Sequence, residues 1–480
     1  MAARTKYSGI RTAAFAVVLV LSVAVAGTAT WYMGQVLSLA SAFYAKTLCS
    51  GVFVAGRDAE DVAAHDVLAG MSPVFRRWHG TVKRKSNLVT ASLYGLAKRR
   101  ALYRPGLGCT LVTGTSVEAL LEQTQGFAPP PPSLRSTALW PEGNRAGLSQ
   151  AIEGVDGQKL KNALDAAFRE PNPRAKARTR AIIVVYKGRI IAERYARRFG
   201  PDTPQLGWSM GKSVLNALIG TLVADGRLKL DSERLFPQWL EPDDPRARIT
   251  IDHLLRMVSG LDFDAPHTRM LSDVRKMLFL EGDSAVAAVA EKLISPVAAS
   301  WFYASGSSTL LASAIRRAIG DPAHYFSYPR RALFARIGMH SAVIEPDAAG
   351  TFIAPAFVYA SARDWARFGL LYRDEGVWNG ARILPEGWVK HSRRATAQSG
   401  GQYGAHLWLA IPDFLRPVSA PDYALPQDGF YMLGHDGQMI AVIPSRRLVV
   451  VRLGLSRQRA AWDHSAFLHT LLKAFAVEGG

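Results

Sequence analysis

The sequence predicts an α+β fold in which an antiparallel sheet is flanked by helices and carries an inserted helical subdomain. Two pairs of β-rich runs support this prediction, one beginning near residue 181 and the other near residue 439. Most of the chain between the two pairs has the apolar periodicity of helices. Strands contributed by both ends of a segment, with helices between them, are expected to join in one sheet. A ligand cleft would then lie between the sheet and the helices.

Turn signals and periodicity define the individual elements of this fold. Lys187-Gly188 joins the first pair of strands, and Pro444-Ser445-Arg446-Arg447 joins the second pair. In chain order, the predicted elements include strands 181–186 and 189–195, helices 309–319 and 362–372, strands 439–443 and 448–453, and a terminal helix over 460–476.

The N-terminus carries a segment that could cross a membrane. No charged residue occurs between positions 12 and 45, and residues 13–33 are almost wholly apolar. A helix of this length spans about 31 Å, which is enough for a bilayer. Arg4, Lys6 and Arg11 precede it, so we expect a single-pass anchor in the cytoplasmic (inner) membrane, with the remainder on the periplasmic side. The alternative is a signal peptide cleaved after Ala24-Val25-Ala26.

Composition changes along the chain predict four parts. Residues 1–34 form the cytoplasmic N-terminus and transmembrane anchor, or the signal peptide. Residues 35–127 form a small N-terminal region of unknown role that is strand-rich around 88–102. Residues 128–144 form a linker that begins with a run of four prolines, and residues 145–480 form the main domain.

Charge and cysteine usage limit the classes of partner. The net charge of +19 suits anionic lipid or an acidic wall polymer as a neighbour, although a solvated basic surface explains it equally well. The basic residues that crowd the segment after the anchor are Arg76, Arg77, Lys83, Arg84, Lys85, Lys98, Arg99 and Arg100. Export and the absence of a nucleic-acid-binding motif argue against nucleic acid.

The chain has two cysteines, Cys49 and Cys109, and both follow the apolar segment. In an oxidising compartment they could form a disulfide that closes a loop of about 60 residues. The alternative is two buried free thiols. Neither cysteine lies in a metal-ligand pattern, and the sequence predicts no metal and no cofactor.

One motif points to nucleophilic catalysis. Ser209 is followed by Lys212 in the single Ser-x-x-Lys of the sequence. On a helix the two side chains share a face, so the amine can reach the hydroxyl and take its proton. Apolar residues at helical spacing follow as far as Asp225-Gly226, which is a helix stop. The alternative is a serine that caps the helix beside a solvated lysine.

The same residues also read Gly207-x-Ser209-x-Gly211, the nucleophile elbow of α/β-hydrolases. That motif needs a strand running directly into the serine, whereas Pro201 and Pro204 stand just upstream. Both interpretations choose Ser209 as the nucleophile. They differ in the base, which is Lys212 with a tyrosine in one and a histidine with an acid in the other.

Two later segments add candidate residues. Tyr303 lies between helical segments, where a loop could present it to a cleft as a general base. Gly434-His435-Asp436-Gly437-Gln438 comes just before the penultimate strand, where glycines allow the backbone to approach a ligand and place an N–H beside an oxyanion. Taken singly, Tyr303 is as consistent with an ordinary core tyrosine, and His435 with a turn histidine.

Together these segments resemble the three motifs of serine β-lactamases and penicillin-binding proteins. The chain is most similar to the class C-related branch that contains 6-aminohexanoate-dimer hydrolases and esterase-like serine hydrolases. In chain order the motifs are Ser209-Met210-Gly211-Lys212, Tyr303-Ala304-Ser305 and His435-Asp436-Gly437. The resemblance covers roughly residues 145–478 and includes the stretches 249–261, 403–408 and 442–451.

The resemblance implies a role for each matching residue. Ser209 would attack a carbonyl and form an acyl-enzyme, and Lys212 and Tyr303 would exchange its protons. Which of the two is the formal base stays open at this point. The oxyanion hole would be the backbone N–H groups of Ser209 and Gln438. Substrate would be bound by Ser305, His435, Asp436 and Gly437.

Two departures from the family pattern bear on the substrate. The second motif of true β-lactamases usually ends in asparagine, where Ser305 stands here, and the third begins with lysine, where His435 stands here. A lysine is a permanent charge suited to a β-lactam carboxylate, whereas a histidine is mostly neutral at pH 7. We therefore expect a small ester or amide as the substrate. The alternatives are a penicillin-binding D-amino-acid peptidase or β-lactamase-type activity, and a non-catalytic binding scaffold with the same fold.

Overall fold

A computed structural model describes residues 2–69, 77–130, 137–147, 152–263, 270–418 and 420–476. Arg76 and the linker prolines Pro131 and Pro132 lie outside the described residues.

The centre of the fold is an antiparallel sheet built from both ends of the main domain. Its strands lie in the spatial order β12-β13-β14-β5-β6. They are β5 (Thr179–Tyr186), β6 (Arg189–Tyr195), β12 (Phe430–Gly434), β13 (Gln438–Ile443) and β14 (Leu448–Gly454). The two hairpins meet where Val450 of β14 pairs with Val184 of β5. This pairing confirms the predicted sheet and adds β12, which the sequence analysis did not identify.

Alternate residues along the strands pack into two apolar layers, as expected for a sheet covered on both faces. Ile183, Val185 and Val449 face one layer together with the apolar residues of the helical subdomain. Ile182 and Val184 face the other layer, against α4 (Gly157–Ala167) and α13 (His464–Leu472). The helix α13 is shorter than the predicted 460–476, because the Asp463 side chain accepts the Ala466 N–H and begins the helix there.

The helical subdomain lies between the two hairpins along the chain. Its helices are α5 (Met210–Ala224), α6 (Ile251–Leu255), α7 (Asp273–Phe279), α8 (Ser284–Val289), α9 (Ser305–Ile319), α10 (Pro322–Pro329), α11 (Ala362–Arg373) and α12 (Trp388–Arg393). Two small antiparallel sheets accompany them. The first contains β7 (Gln205–Leu206), β8 (Val343–Ile344) and β9 (Val358–Ala360), and the second contains β10 (Val377–Trp378) and β11 (Ala381–Arg382).

The N-terminal region begins with one long helix. The helix α1 (Ala2–Cys49) continues into a single wider turn over Ser50–Val54, and α2 (Ala59–Val62) follows. From Phe15 to Met33 the helix is exposed, whereas Leu39, Ala42, Ala45 and Leu48 are buried. The segment Phe15–Val54 is long and apolar enough to cross a membrane, a property that a signal sequence shares.

A separate four-stranded antiparallel sheet packs against the buried half of α1. Its strands are β1 (Trp78–Lys83), β2 (Leu88–Leu93), β3 (Leu96–Arg104) and β4 (Gly108–Leu111), and α3 (Val117–Glu122) follows them. Cys49 at the end of α1 is bonded to Cys109 in β4. The same apolar cluster includes Phe279 and Phe357 of the main domain, so the N-terminal region is packed directly on that domain.

We predict that the Cys49–Cys109 bond stabilises the folded chain by restricting its unfolded state. The two cysteines are 60 residues apart, and closing a loop of that length is worth about 4 kcal/mol. Replacing both cysteines by serine should lower the free energy of unfolding by about this amount in a denaturant titration. Reductant should lower the stability of the native chain and leave the double variant unchanged. If the native protein and the double variant were equally stable without reductant, the prediction would be contradicted.

Candidate active site

Ser209 lies at the junction between a short strand and a helix. Gln205–Leu206 (β7) pairs with β9, and the Gly207 N–H donates to the Val358 carbonyl at 2.8 Å. Trp208 then adopts a positive φ of 49°, which turns the chain sharply, and Ser209 precedes the first residue of α5. A Cβ at position 207 would lie 2.4 Å from the Trp365 ring, so only glycine fits there. The turn holds the serine at the N-terminal end of α5.

Lys212 projects from the first turn of α5 toward the same hydroxyl. Its Nζ lies 2.9 Å from Ser209 Oγ, 3.2 Å from Ser305 Oγ and 3.5 Å from the Pro355 carbonyl oxygen. The helix approaches the 354–355 backbone closely, because a Cβ on Gly211 would lie 2.0 Å from the Ala354 oxygen. The predicted contact between lysine and serine is therefore present, and a loop carbonyl completes the surroundings of the amine.

Burial lowers the pKa of Lys212 to about 7, since the protonated amine loses its hydration and the described residues place no carboxylate in contact with it. Two titratable groups on adjacent elements interact with the amine: Tyr303, whose ring centroid is 4.9 Å from Nζ, and His406. Burial, followed by the charge of Lys212, lowers the pKa of His406 to about 3. His406 is thus neutral, and the lysine amine exchanges protons easily near neutral pH.

Tyr303 stands just before α9, and Ser305 is the first residue of that helix. Close packing brings α9 into place, since a Cβ on Gly306 would lie 2.0 Å from the Phe263 ring. Burial raises the pKa of Tyr303 to about 12, while hydrogen bonding to Ser209 and Trp408 opposes this effect. The phenol therefore keeps its proton at neutral pH and lies within reach of the serine hydroxyl.

The third segment forms a tight turn between β12 and β13. Asp436 and Gly437 have φ values of 60° and 83°, as in the type I′ turns that favour Asp-Gly, and the Gln438 N–H donates to the His435 carbonyl. A Cβ on Gly434 would lie 2.2 Å from the Gly207 oxygen, so the turn abuts the strand that leads to the serine. The Gln438 N–H is therefore already bonded to the His435 carbonyl. To stabilise an oxyanion as predicted, it would have to be shared between the oxyanion and that carbonyl.

The histidines of this region do not support the elbow interpretation. The His435 side chain is 65% exposed, and its Nε2 lies 3.4 Å from the Asp436 carboxylate. His406 Nε2 bonds to Ser308 Oγ at 2.7 Å, and its Nδ1 bonds to the Leu255 carbonyl at 2.9 Å. Across the residues that the structure describes, neither ring is hydrogen-bonded to Ser209.

Comparison with known proteins assigns the family. The sequence model of the family described as Beta-lactamase matches residues 148–463, which is more than half of the chain. The chain belongs to the Beta-lactamase family. This membership confirms the predicted resemblance and the α+β fold.

Individual relatives are distant. The 6-aminohexanoate-dimer hydrolase of Paenarthrobacter ureafaciens is 24% identical over 254 residues, which are 48% of this chain and 64% of that protein. The match thus spans less than two thirds of the relative. A protein of Bacillus anthracis assigned as a 6-aminohexanoate-dimer hydrolase is similar in structure, with 21% identity, a TM-score of 0.50 and coverage of 73% of this chain and 86% of its own. A family VIII carboxylesterase has 14% identity, a TM-score of 0.51 and coverage of 68% and 98%.

Within this Beta-lactamase family domain, an aromatic wall borders the candidate serine. The Tyr303 ring packs against the rings of Tyr403, Trp408 and Phe414 at centroid distances of 5.7, 5.1 and 6.4 Å. Phe414 is 51% exposed at the rim. Tyr303 and Ser305 also line a small pocket of about 50 Å³, together with apolar groups such as Val274 and with Asp273 and Glu291. In the described part of the chain, no group of three or more His, Cys, Asp or Glu is placed to hold a metal ion.

The structure brings most of the predicted residues together. Ser209, Lys212, Tyr303 and Ser305 form one connected cluster, and the turn that contains His435, Asp436, Gly437 and Gln438 lies beside it. The Ser305 hydroxyl accepts a hydrogen bond from Lys212, and the Asp436 side chain is buried. The Cys49–Cys109 bond belongs to the N-terminal region and not to this cluster.

Sequence reasoning missed a buried guanidinium that supports the turn. Arg452 in β14 is fully buried, and its Nη1 donates to the carbonyls of Asp436 at 3.2 Å and Gly437 at 2.9 Å. A Cβ on Gly437 would lie 2.4 Å from the same atom, so glycine is required above the arginine. The signal available in the sequence was an arginine within the otherwise apolar run of residues 448–453. Such a residue is seldom buried without partners.

Proposed function

We propose that the protein is a serine hydrolase that cleaves an ester or a non-ribosomal amide through an acyl-enzyme on Ser209. The observation that carries the proposal is the 2.9 Å contact between Ser209 Oγ and Lys212 Nζ, made by an amine that is buried without a carboxylate partner. A serine hydroxyl becomes a useful nucleophile when a neighbouring base can take its proton. A pKa of about 7 leaves a large fraction of Lys212 neutral at physiological pH.

In the proposed first step, Ser209 Oγ attacks the substrate carbonyl carbon while its proton passes to Lys212 Nζ. Lys212 is favoured over Tyr303 as the base, because burial raises the pKa of Tyr303 to about 12 and keeps the phenol protonated. The tyrosine is then suited to donate a proton to the leaving oxygen or nitrogen. When that group departs, the acyl chain remains on Ser209, and a water molecule releases it with the proton transfers reversed.

The developing oxyanion would be stabilised at the start of α5. The Ser209 N–H lies at the N-terminal end of this helix, where the backbone dipoles favour negative charge. The Gln438 N–H is the second proposed donor and would turn partly from the His435 carbonyl toward the oxyanion. Arg452 holds the two preceding carbonyls of the same turn, which limits how far the turn can move.

Uncharged esters and amides are the proposed substrates in preference to β-lactams. The position that would meet a β-lactam carboxylate carries the exposed His435 in place of a permanent lysine charge. The Ser305 hydroxyl is engaged by Lys212 and so supports the base. Rings of Tyr303, Trp408 and Phe414 border the serine and suit an apolar acyl or alcohol group.

The proposed location is the outer face of the cytoplasmic membrane, with α1 as a single-pass anchor for the class C-related hydrolase domain. The exposed apolar half of α1 follows Arg4, Lys6 and Arg11, which favours a cytoplasmic N-terminus. A disulfide between Cys49 and Cys109 fits an oxidising compartment on the other side of the membrane. Anionic lipid or an acidic wall polymer is the proposed neighbour of the basic segment that follows.

A fluorophosphonate probe should label Ser209 in the full-length protein, and peptide mass spectrometry should locate the adduct. Ser209→Ala should abolish ester turnover, Lys212→Ala should reduce it about 10³-fold or more, and Tyr303→Phe about 10²–10⁴-fold. His435→Ala is the matched control, because its exposed ring is not bonded to the serine, and it should keep probe labelling. A folded wild-type protein that is not labelled would favour the binding scaffold instead.

The turnover number should rise with pH and level off above a pH of about 7. The neutral amine of Lys212 is the active form, and its pKa is lowered to about 7, so protonation below this value removes the base. We expect kcat to fall about tenfold for each pH unit on the acid side. Tyr303→Phe should keep this acid limb at a lower rate. If the acid limb of the kcat profile stays near pH 7 in Lys212→Ala, another group is responsible for it.

Membrane fractionation should recover the full-length chain in the membrane pellet with an N-terminal tag still attached. Release of a shortened soluble chain would show that the segment is a signal peptide, which requires small residues at the cleavage site. Ala24→Leu combined with Ala26→Leu is the control, because it blocks such cleavage and should return a cleaved protein to the membrane.

A further inference from the structure

A buried carboxylate marks the junction between the N-terminal region and the hydrolase domain. Glu345 follows β8 and has no exposed surface. Its side chain forms an ion pair with Lys46 and accepts hydrogen bonds from Ser50 Oγ at 2.8 Å and from the Cys109 N–H at 2.6 Å. A buried carboxylate needs such partners to offset its lost hydration. All three donors come from the N-terminal region.

The disulfide joins the two elements that supply these donors. Cys49 is the residue next to Ser50 at the end of α1, and Cys109 is itself the source of the N–H in β4. A Cβ on Gly108 would lie 2.6 Å from the Glu345 carboxylate, so the strand approaches this side chain as closely as its backbone allows. The pocket for Glu345 is therefore built by α1 and β4 together.

The backbone of Glu345 fixes the base of the loop that covers Lys212. Its N–H donates to the Phe357 carbonyl at 3.0 Å, and its own carbonyl accepts the Ile353 N–H at 3.0 Å. The loop closed by these bonds carries Pro355, whose carbonyl oxygen lies 3.5 Å from Lys212 Nζ. The Ala354 carbonyl of the same loop lies directly against Gly211.

A second set of contacts runs from the same ion pair to the serine. Lys46 Nζ lies 4.1 Å from the centroid of the Phe357 ring, which in turn packs 6.2 Å from the Trp208 ring. Trp208 is the positive-φ residue that turns the chain into Ser209. The side chain that pairs with Glu345 thus also supports the residue before the nucleophile.

We infer that Glu345 is a positioning residue: bound by Lys46, Ser50 and the Cys109 N–H, it holds the 345–357 loop against Lys212. The N-terminal region then helps to position Lys212, in addition to its proposed role in membrane attachment. This inference rests on the proposed function of Lys212 as the base for Ser209. Loosening the loop would admit water to the amine, whose other neighbours carry no charge: they are the Ser209 and Ser305 hydroxyls, Tyr303 and the neutral His406.

The test compares Glu345→Gln with Asp66→Asn in the full-length protein. Asp66 also ties the N-terminal region to the hydrolase domain, since its carboxylate pairs with Arg57 at 2.7 Å and with Arg180 of β5 at 2.6 Å. It makes no contact with the 345–357 loop in the described part of the chain. Glu345→Gln removes the carboxylate of the buried Lys46, and Asp66→Asn removes that of the partly buried Arg180, so both should lower the thermal unfolding temperature.

For Glu345→Gln we expect kcat to fall about 10- to 100-fold, with a smaller change in KM. The acid limb of its pH profile should move up by about half a pH unit or more, because a better hydrated amine is protonated more readily. Asp66→Asn should keep both kcat and the acid limb of the native protein. Equal changes in the two variants, or an unchanged kcat in Glu345→Gln, would overturn the inference.

If Glu345→Gln does not fold, the double variant Lys46→Met, Glu345→Gln replaces it, because it leaves neither charge unpaired. We expect a folded protein whose acid limb still lies above that of the native chain, and a native kcat and limb would refute the positioning role. Probe labelling of wild-type Ser209 distinguishes failure of the positioning role from failure of the proposed function. Labelling with an unaffected Glu345→Gln refutes only the positioning role, whereas a folded wild type without labelling refutes the proposed function and the positioning role with it.

Discussion

The interaction on which the rest of the candidate site depends is the burial of one lysine amine that no carboxylate of the described residues opposes. Lys212 Nζ contacts two hydroxyls, one carbonyl oxygen and the face of a ring. These neighbours do not replace the hydration of a full positive charge, so the neutral amine is favoured. The glycines at 207, 211 and 306 serve this arrangement, since each allows an element to approach closer than any side chain would permit.

Three other buried cations of the described residues have different partners. Lys46 meets the Glu345 carboxylate, Arg367 meets the Asp364 carboxylate, and Arg452 donates to the carbonyls of a turn. Lys46 and Glu345 are 299 residues apart, so their contact joins distant segments, whereas Arg367 pairs within α11 and Arg452 holds the 436–437 turn. Among the described residues, Lys212 is the buried lysine without a carboxylate partner, which suits it to the proposed proton transfer. The contrast distinguishes Lys212 by its environment rather than by its motif.

Local patterns in the sequence were sufficient for the two hairpins and the helix after Ser209, because each depends on residues within one or two turns. They placed the start of α9 at residue 309, whereas the helix begins at Ser305. They could not indicate Pro355 beside Lys212 or Glu345 beside Lys46, which are separated by 143 and 299 residues. The Asp436-Gly437 pair did carry a readable signal for a type I′ turn. The use of the Gln438 N–H to close that turn follows from the signal, although only the structure places the turn against Gly207.

The two halves of α1 have different physical roles, and this difference decides what cleavage of the chain would change. Residues 15–33 are exposed and apolar, whereas the helix from Leu39 to Cys49 is buried and supplies Lys46 to Glu345. Cleavage after Ala26 would remove most of the exposed half and leave the whole buried half in place. The proposed membrane attachment is therefore separable from the proposed support of Lys212, because Lys46, Ser50 and the disulfide all follow the cleavage point. A released chain would keep every contact that reaches Lys212.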